Sequence, residues 1–135
     1  ILFGRPDVTL ILLGGELNGS IGAAQGAMTE TTIRELYMDK AVLGADAVSL
    51  NAGVATPILN VTRTKRCMVE QAREVIVVAN HSKVGATAMY IAFPVERVHT
   101  LVTDEKADVD LLRGLRARGV RIIVAFLDGR TEEIR

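Results

Sequence analysis

Lys65 is the residue whose type and position most strongly suggest chemistry. It lies on one face of a predicted helix, within a series of apolar residues spaced three or four apart, namely Ile58, Val61, Met68 and Ala72. A lysine in such a position extends its ammonium group to solvent, pairs with a carboxylate, or binds an anionic ligand. Asp46, at the end of a predicted strand, is the available carboxylate. Together the two residues would offer a cation to a phosphate and an acceptor to hydroxyl groups, as a polyol phosphate requires.

A polar loop at residues 80–85 is the second candidate site. Its sequence is Asn-His-Ser-Lys-Val-Gly, and it follows directly after a predicted buried strand. The backbone N–H groups, the Ser82 hydroxyl and the Lys83 ammonium group could bind an anion, and Gly85 would let a ligand approach the backbone closely. The spacing differs from that of the nucleotide-binding P-loop. The alternative interpretation is an ordinary solvated loop.

A glycine-rich stretch begins at Gly14 and Gly15 and continues with Gly19, Gly22 and Gly26. Its spacing does not match the dinucleotide-binding fingerprint of parallel α/β folds. Two interpretations stay open, a flexible loop or a segment that lets a phosphate approach the backbone.

Cysteine and histidine content argues against two other kinds of site. Cys67 is expected to point away from the apolar face of its helix, where it has no recognisable base partner, so a nucleophilic role is not expected. His81 and His99 are the only histidines, and His99 lies in a predicted strand, where a structural role is expected. With one cysteine and no paired histidines, the sequence predicts no transition-metal site and no cofactor.

Five apolar runs, rich in β-branched residues and continuous rather than alternating, predict the strands that would position these candidates: residues 8–13, 41–45, 75–79, 99–103 and 120–125. Such runs are typical of a parallel sheet buried on both faces. Helices are predicted between them at residues 29–37, 57–73 and 108–118. The prediction is therefore an α/β fold with a mostly parallel sheet and helices on both faces. Its right-handed crossovers would place a ligand beyond the carboxyl ends of the strands, next to Gly14, Gly15, Asp46, the 80–85 loop and Asp104.

Two of these helices carry predicted end signals. Thr56 is expected to cap the N-terminus of the helix at residues 57–73, with Pro57 in its first position. Asp108 is expected to cap the helix at residues 108–118, and Gly119 is expected to end it.

The composition limits the classes of partner. The 135 residues are enough for one domain with an ordinary apolar core. Lys plus Arg and Asp plus Glu number 16 each, so the chain lacks the positive field of a nucleic-acid binder. A single cysteine, no signal peptide and no apolar run of membrane-spanning length favour the cytoplasm and no membrane partner.

Seven sequence strings in fixed order add a family resemblance: Leu12-Leu13-Gly14-Gly15-Glu16-Leu17, Gly26, Met38-Asp39-Lys40-Ala41-Val42-Leu43-Gly44-Ala45-Asp46, Thr56-Pro57, Lys65-Arg66-Cys67-Met68, Asn80-His81-Ser82-Lys83-Val84-Gly85 and Thr103-Asp104. Over residues 7–125 they resemble the C-terminal sensor domain of the DeoR family of bacterial transcriptional repressors. The resemblance implies a fold similar to that of ribose-5-phosphate isomerase, used for binding rather than turnover. Family members carry an N-terminal helix-turn-helix, repress sugar-catabolism genes, and release operator DNA or change assembly when a phosphorylated sugar binds.

Carried over residue by residue, the resemblance implies an effector pocket lined by Gly14, Gly15, Gly26, Asp46, Thr56, Lys65, Asn80, Ser82 and Lys83. It also implies a homo-oligomer that touches operator DNA only through a domain outside this chain. Because the chain opens on Ile1 rather than Met, we expect residues 1–125 to be an N-terminally truncated effector-binding domain. Residues 126–135 are expected to form a polar C-terminal tail, either frayed or facing a partner.

Three positions depart from the family pattern. Asn80 stands where the family usually has Asp, Ala47 where it favours Gly, and Ala55 where it has Thr. Each removes a charge, a flexible position or a hydroxyl group, so they indicate a different effector or a weaker affinity.

Two other functions compete with effector binding. Asp46 and Lys65 resemble positions used by sugar-phosphate isomerases, but the chain continues Ala47-Val48-Ser49 without the further acids that proton abstraction next to a carbonyl requires. The sequence therefore favours a protein that is not an enzyme. A domain that serves only oligomerisation is the remaining alternative.

Overall fold

The computed structural model describes residues 3–19 and 21–134 of the chain. The strands are β1 Glu16–Asn18, β2 Ala23–Gln25, β3 Met38–Gly44, β4 Ala47–Ser49, β5 Gly53–Thr56, β6 Ala72–Val78, β7 Tyr90–Phe93, β8 Thr100–Asp104, β9 Arg121–Ala125 and β10 Thr131–Glu133. The helices are α1 Ala27–Arg34, α2 Leu59–Gln71 and α3 Val109–Ala117.

A five-stranded sheet in the order β10-β9-β8-β6-β3 forms the centre of the fold. The strands β3, β6, β8 and β9 are parallel, and β10 pairs antiparallel with β9 at one edge. These four parallel strands coincide with the runs predicted at residues 41–45, 75–79, 99–103 and 120–125. The predicted α/β class with a mostly parallel sheet is confirmed.

The strand predicted at residues 8–13 is wrong, because this segment is irregular in the structure. Leu10, Ile11 and Leu12 are 51%, 71% and 90% exposed. Their backbone has no neighbouring strand among the described residues, and a run of apolar residues becomes a strand only where a partner completes the hydrogen-bond ladder.

A second, three-stranded antiparallel sheet in the order β4-β5-β7 was not predicted from the sequence. Its strands have only three or four residues each, too few to show a periodic pattern. Gly53 begins β5 at φ +70°, and a Cβ there would collide with the Phe93 carbonyl oxygen and with Pro94. Only glycine fits where β5 and β7 approach this closely.

The helices begin and end close to their predicted limits, with one error at an N-terminus. Thr56 does not cap α2, because it is the last residue of β5 and pairs with Tyr90. The N-cap is Ile58, so Pro57 lies before the helix rather than in its first position. The residue before a proline is pushed into extended backbone, which keeps Thr56 in the strand.

The end signals of α3 are confirmed. The Asp108 carboxylate accepts from the N–H groups of Asp110 and Leu111 at 2.9 and 3.0 Å. Gly119 follows the C-terminus at φ +90°, the left-handed conformation that ends many helices.

The core is aliphatic and joins both sheets to α2 and α3. Alternate residues of the parallel strands face Val69 of α2 and Leu112 and Leu115 of α3 within one buried cluster. Cys67 is also buried, at 1% exposure, so the expectation that it points away from the packed face of α2 is wrong. Burial raises the pKa of its thiol, which fits an inert core residue.

Residues 126–134 form a hairpin on the edge of the central sheet rather than a frayed tail. The Phe126 N–H donates to the Arg130 carbonyl oxygen at 2.9 Å, and the Ile134 N–H donates to the Ile122 carbonyl oxygen at 3.1 Å. The sequence predicted a tail because this segment is polar. An edge strand such as β10 is also polar, since its side chains are exposed to solvent. In the described part of the chain, none of the helices has the length and hydropathy of a membrane span.

Candidate functional site

The carboxyl ends of β3, β6 and β8 lie level with one another. Gly44 is in register with Val78, and Val78 is in register with Val102. Asp46, Asn80 and Asp104 each follow two residues later, so they line up along the same edge of the sheet. This row is the edge at which the sequence predicted a ligand.

Lys65 lies in the middle of α2 and is partly buried. Burial lowers the pKa of Lys65, and the negative charge of Asp46 opposes that effect. The two charges are therefore close enough to interact electrostatically, while Asp46 itself remains exposed. A partly desolvated ammonium group beside a single carboxylate retains capacity for an anion.

The 80–85 loop is a short 3-10 turn with its own cap. Asn80 Oδ1 accepts from the Ser82 N–H at 3.1 Å and from the Ser82 hydroxyl at 2.7 Å. The Gly85 N–H donates to the Val48 carbonyl oxygen at 2.8 Å, which ties the loop to β4. These bonds hold the exposed Ser82 and the half-buried Lys83 beside the sheet edge.

The structure adds a residue pair that sequence reasoning did not connect. His81 donates its backbone N–H to Asp104 Oδ2 at 2.7 Å, and its ring Nδ1 lies 2.9 Å from Asp104 Oδ1. Partial burial favours the protonated form of Asp104, but the bonds from His81 and Lys106 outweigh it and hold the pKa of Asp104 below its usual value. The only signal in the sequence was that both residues follow predicted strands.

The glycine segment lies against α1 rather than at the end of a strand. Thr29 Oγ1 donates to the Gly14 carbonyl oxygen at 2.7 Å. A Cβ on Gly15, whose φ is +140°, would collide with Thr29 Oγ1 and the Gln25 carbonyl oxygen. Gly26 is the N-cap of α1 at φ +94°. Helix α1 and strand β2 both pack on α2, so this segment adjoins the helix that carries Lys65.

Thr56 is the most enclosed of the predicted site residues. It is 1% exposed at the end of β5 and lies just before α2.

Among the predicted site residues, the structure brings Asp46, Lys65 and the loop containing Asn80, Ser82 and Lys83 to one end of the sheet. Thr56 and the glycines support the helices beside it.

A hollow of about 410 Å³ opens beside the His81–Asp104 pair. Its walls are His81, Asp104, Glu105, Lys106, Ala125, Phe126 and Leu127. A larger cavity of about 740 Å³ lies between α3, β9 and β10 and shares Asp104, Glu105 and Phe126 with it. Within residues 3–19 and 21–134, no three His, Cys, Asp or Glu side chains cluster as metal ligands would.

Comparison with known proteins identifies the family of the chain. The family model of the DeoR C terminal sensor domain matches residues 1–105. The chain is 32% identical over 123 residues to an Escherichia coli protein assigned as an aga operon transcriptional repressor, covering 91% of this chain and 46% of that protein. It is 28% identical to the glycerol-3-phosphate regulon repressor of Escherichia coli, over 87% of this chain and 47% of that protein. It is 27% identical to the HTH-type transcriptional repressor GlcR of Bacillus subtilis, over 95% of this chain and 49% of that protein. The chain thus spans about half the length of these relatives.

Proposed function

The chain belongs to the DeoR C terminal sensor domain family, and from that premise we propose that it binds a phosphorylated sugar at the carboxyl ends of its parallel strands. The domain is regulatory, and its relatives are transcriptional repressors rather than enzymes. The sugar-phosphate isomerase alternative is therefore set aside.

The partly buried charge of Lys65 and its electrostatic interaction with Asp46 carry the proposal. A lysine that is partly desolvated in the ligand-free fold raises the free energy of that fold, and a bound phosphate would recover the lost solvation through charge-assisted hydrogen bonds. Lys83 and the amide NH2 group of Asn80 would supply further donors, while Asp46 and the Ser82 hydroxyl oxygen would accept from sugar hydroxyl groups. Gly14, Gly15, Gly26 and Thr56 complete the proposed set, and we assign them to supporting the helices that carry Lys65.

The complete protein would act as a cytoplasmic repressor of sugar-catabolism genes. Its operator contacts would come from a helix-turn-helix outside this chain, as the name of the relative GlcR suggests. Residues 1–125 would form the effector-binding unit, and the hairpin of residues 126–134 would be appended to it. Effector binding would change DNA affinity through a homo-oligomer. The alternative, a domain that serves only oligomerisation, would not require the row of polar residues Asp46, Asn80 and Asp104 at the sheet edge.

A thermal-shift screen of phosphorylated sugars against the intact protein tests the proposal. A ligand at a hundredfold its dissociation constant should stabilise the fold by about 2.7 kcal/mol, because it binds only the folded state. The same sugars without phosphate serve as controls and should give no shift. If no phosphorylated sugar shifts the melting temperature more than its unphosphorylated counterpart, the proposal is wrong.

A further inference from the structure

His81 is held in one orientation by two hydrogen bonds to one carboxylate. Its backbone N–H and its ring Nδ1 both contact Asp104, at 2.7 and 2.9 Å, and the Lys106 N–H donates to the same carboxylate at 3.0 Å. An ionised carboxylate only accepts, so Nδ1 must carry a proton. Nε2 is then the free nitrogen of the ring, and none of the described residues hydrogen bonds to it.

Two features place this ring where a ligand could meet it. The side chain is 42% exposed, and it lines the hollow of about 410 Å³ together with Phe126 and Leu127. The charged groups around it are Asp104, Glu105 and Lys106, so the wall mixes hydrogen-bonding groups with an apolar surface. Such a lining suits the hydroxyl groups and C–H faces of a sugar better than a bare phosphate.

The distance along the sheet edge fits a ligand that reaches both places. Strands β3 and β8 are separated by two strand spacings, which amount to about 10 Å. That is roughly the distance from Asp46 at the end of β3 to Asp104 at the end of β8. A phosphorylated five- or six-carbon sugar can span such a distance, and the 80–85 loop lies between its two ends.

We propose that His81, positioned by Asp104, recognises the hydroxyl end of the phosphorylated sugar through Nε2 and determines which sugar is accepted. This inference rests on the proposed function, because it assigns the second end of the same ligand. In neutral His81, Nε2 accepts from a sugar hydroxyl group, while Lys65 and Lys83 bind the phosphate. Asp104 is a positioning residue, which acts only by fixing the ring and its proton.

The test compares two probe classes, inorganic phosphate and a panel of glucose 6-phosphate, fructose 6-phosphate, ribose 5-phosphate and glycerol 3-phosphate. Calorimetry with the intact protein near neutral pH gives the dissociation constant of each probe. The preference is the affinity for the tightest-binding sugar phosphate divided by the affinity for inorganic phosphate. The informative variant is His81→Asn, since its amide can replace the Nδ1 donor to Asp104 but has no atom at the position of Nε2. We expect the preference to fall by about tenfold, while the affinity for inorganic phosphate is unchanged.

Two comparisons separate the possible failures. His81→Gln places an amide atom near the position of Nε2 and should restore part of the preference. If His81 only stabilised the loop through Asp104, His81→Asn would instead retain more of the preference than His81→Gln. If inorganic phosphate binds and Lys65→Met weakens it, yet His81→Asn leaves the preference unchanged, this inference is wrong and the proposed function stands. If no phosphorylated probe binds, the proposed function fails, and the inference fails with it.

Discussion

Lys65, in the middle of α2, interacts electrostatically with Asp46, the second residue after β3 at the end of the central sheet. The lysine is partly buried, and burial lowers its pKa while Asp46 raises it. The folded pKa therefore lies below the value of 10.5 that the free side chain has. At neutral pH the ligand-free fold thus bears a cost for keeping this amine charged, and that cost is relieved by an anion.

Replacing Lys65 with Met should separate stability from effector binding. Met keeps the length and the apolar stem but removes the charge, so the melting temperature of the ligand-free protein should stay the same or rise. The affinity for the phosphorylated sugar should fall by about 1.5–3 kcal/mol, the range for hydrogen bonds to charged groups. Calorimetry and circular dichroism measure the two effects.

Lys40→Met is the matched control for this variant. Lys40 lies towards the other end of β3 and pairs with Glu74 at 2.6 Å on an exposed surface. Its loss should leave effector affinity unchanged. Equal affinities for wild type and folded Lys65→Met would show that Lys65 only extends its stem along the helix surface.

Asn80→Ala should destabilise the 80–85 turn by about 1 kcal/mol, the typical cost of a lost side-chain cap. The amide oxygen is the acceptor for both the N–H and the hydroxyl of Ser82. Asn80→Asp keeps an acceptor in place and should retain most of the stability. Urea denaturation of the three proteins checks this, and equal stability of wild type and Asn80→Ala would contradict it.

Asp104 should stabilise the fold in a pH-dependent way, with a contribution that is lost in acid. Its pKa is lower in the fold than its ordinary value of 3.8, so the folded state favours the carboxylate. That contribution is fully present above about pH 4 and is lost as the pH falls through the folded pKa. Asp104→Asn should therefore be less stable than wild type at neutral pH, and the difference should shrink in acid. A constant difference across the range would rule out this origin.

The sequence predicted those parts of the fold whose signals are local. The apolar runs of β6 and β9 and the end signals of α3, Asp108 and Gly119, act within a few residues, and all were correct. The run at residues 8–13 has the same local pattern, but no strand pairs with it in the described part of the chain. A strand needs its neighbour, and no local pattern supplies one.

The site was predicted only where chain order and strand direction determine it. Asp46 and the 80–85 loop could be placed together because parallel strands bring their carboxyl ends to one edge. The pairing of His81 with Asp104 could not, because these residues are 23 positions apart and meet only through the register of β6 and β8. Thr56 was misplaced because the pairing of β5 with β7 overrides its capping preference.

Gly53→Ala should be much more damaging than Gly119→Ala. Both glycines have positive φ, +70° and +90°, so alanine is strained at each by about 1–2 kcal/mol. At Gly53 a Cβ also meets backbone atoms of Phe93 and Pro94, whereas at Gly119 it meets open space. Thermal melts of the two variants give the comparison. If both lose the same stability, the close approach of β5 and β7 does not constrain position 53.

This chain alone should not bind operator DNA at physiological salt. Its 16 basic and 16 acidic residues cancel, so it lacks the counterion-release term that supplies most non-specific affinity. Three arginines in or after α3 are also paired locally, since Arg113, Arg118 and Arg121 form ion pairs with Asp110, Glu96 and Glu133, respectively. In a mobility-shift titration with the DNA upstream of its own gene, the chain should give no complex below about 1 μM, a concentration at which even non-specific binders are only partly bound. The intact protein should bind this DNA, and a phosphorylated sugar should change that affinity. Equal affinity from the isolated chain and the intact protein would show that the DNA contacts lie within these 135 residues.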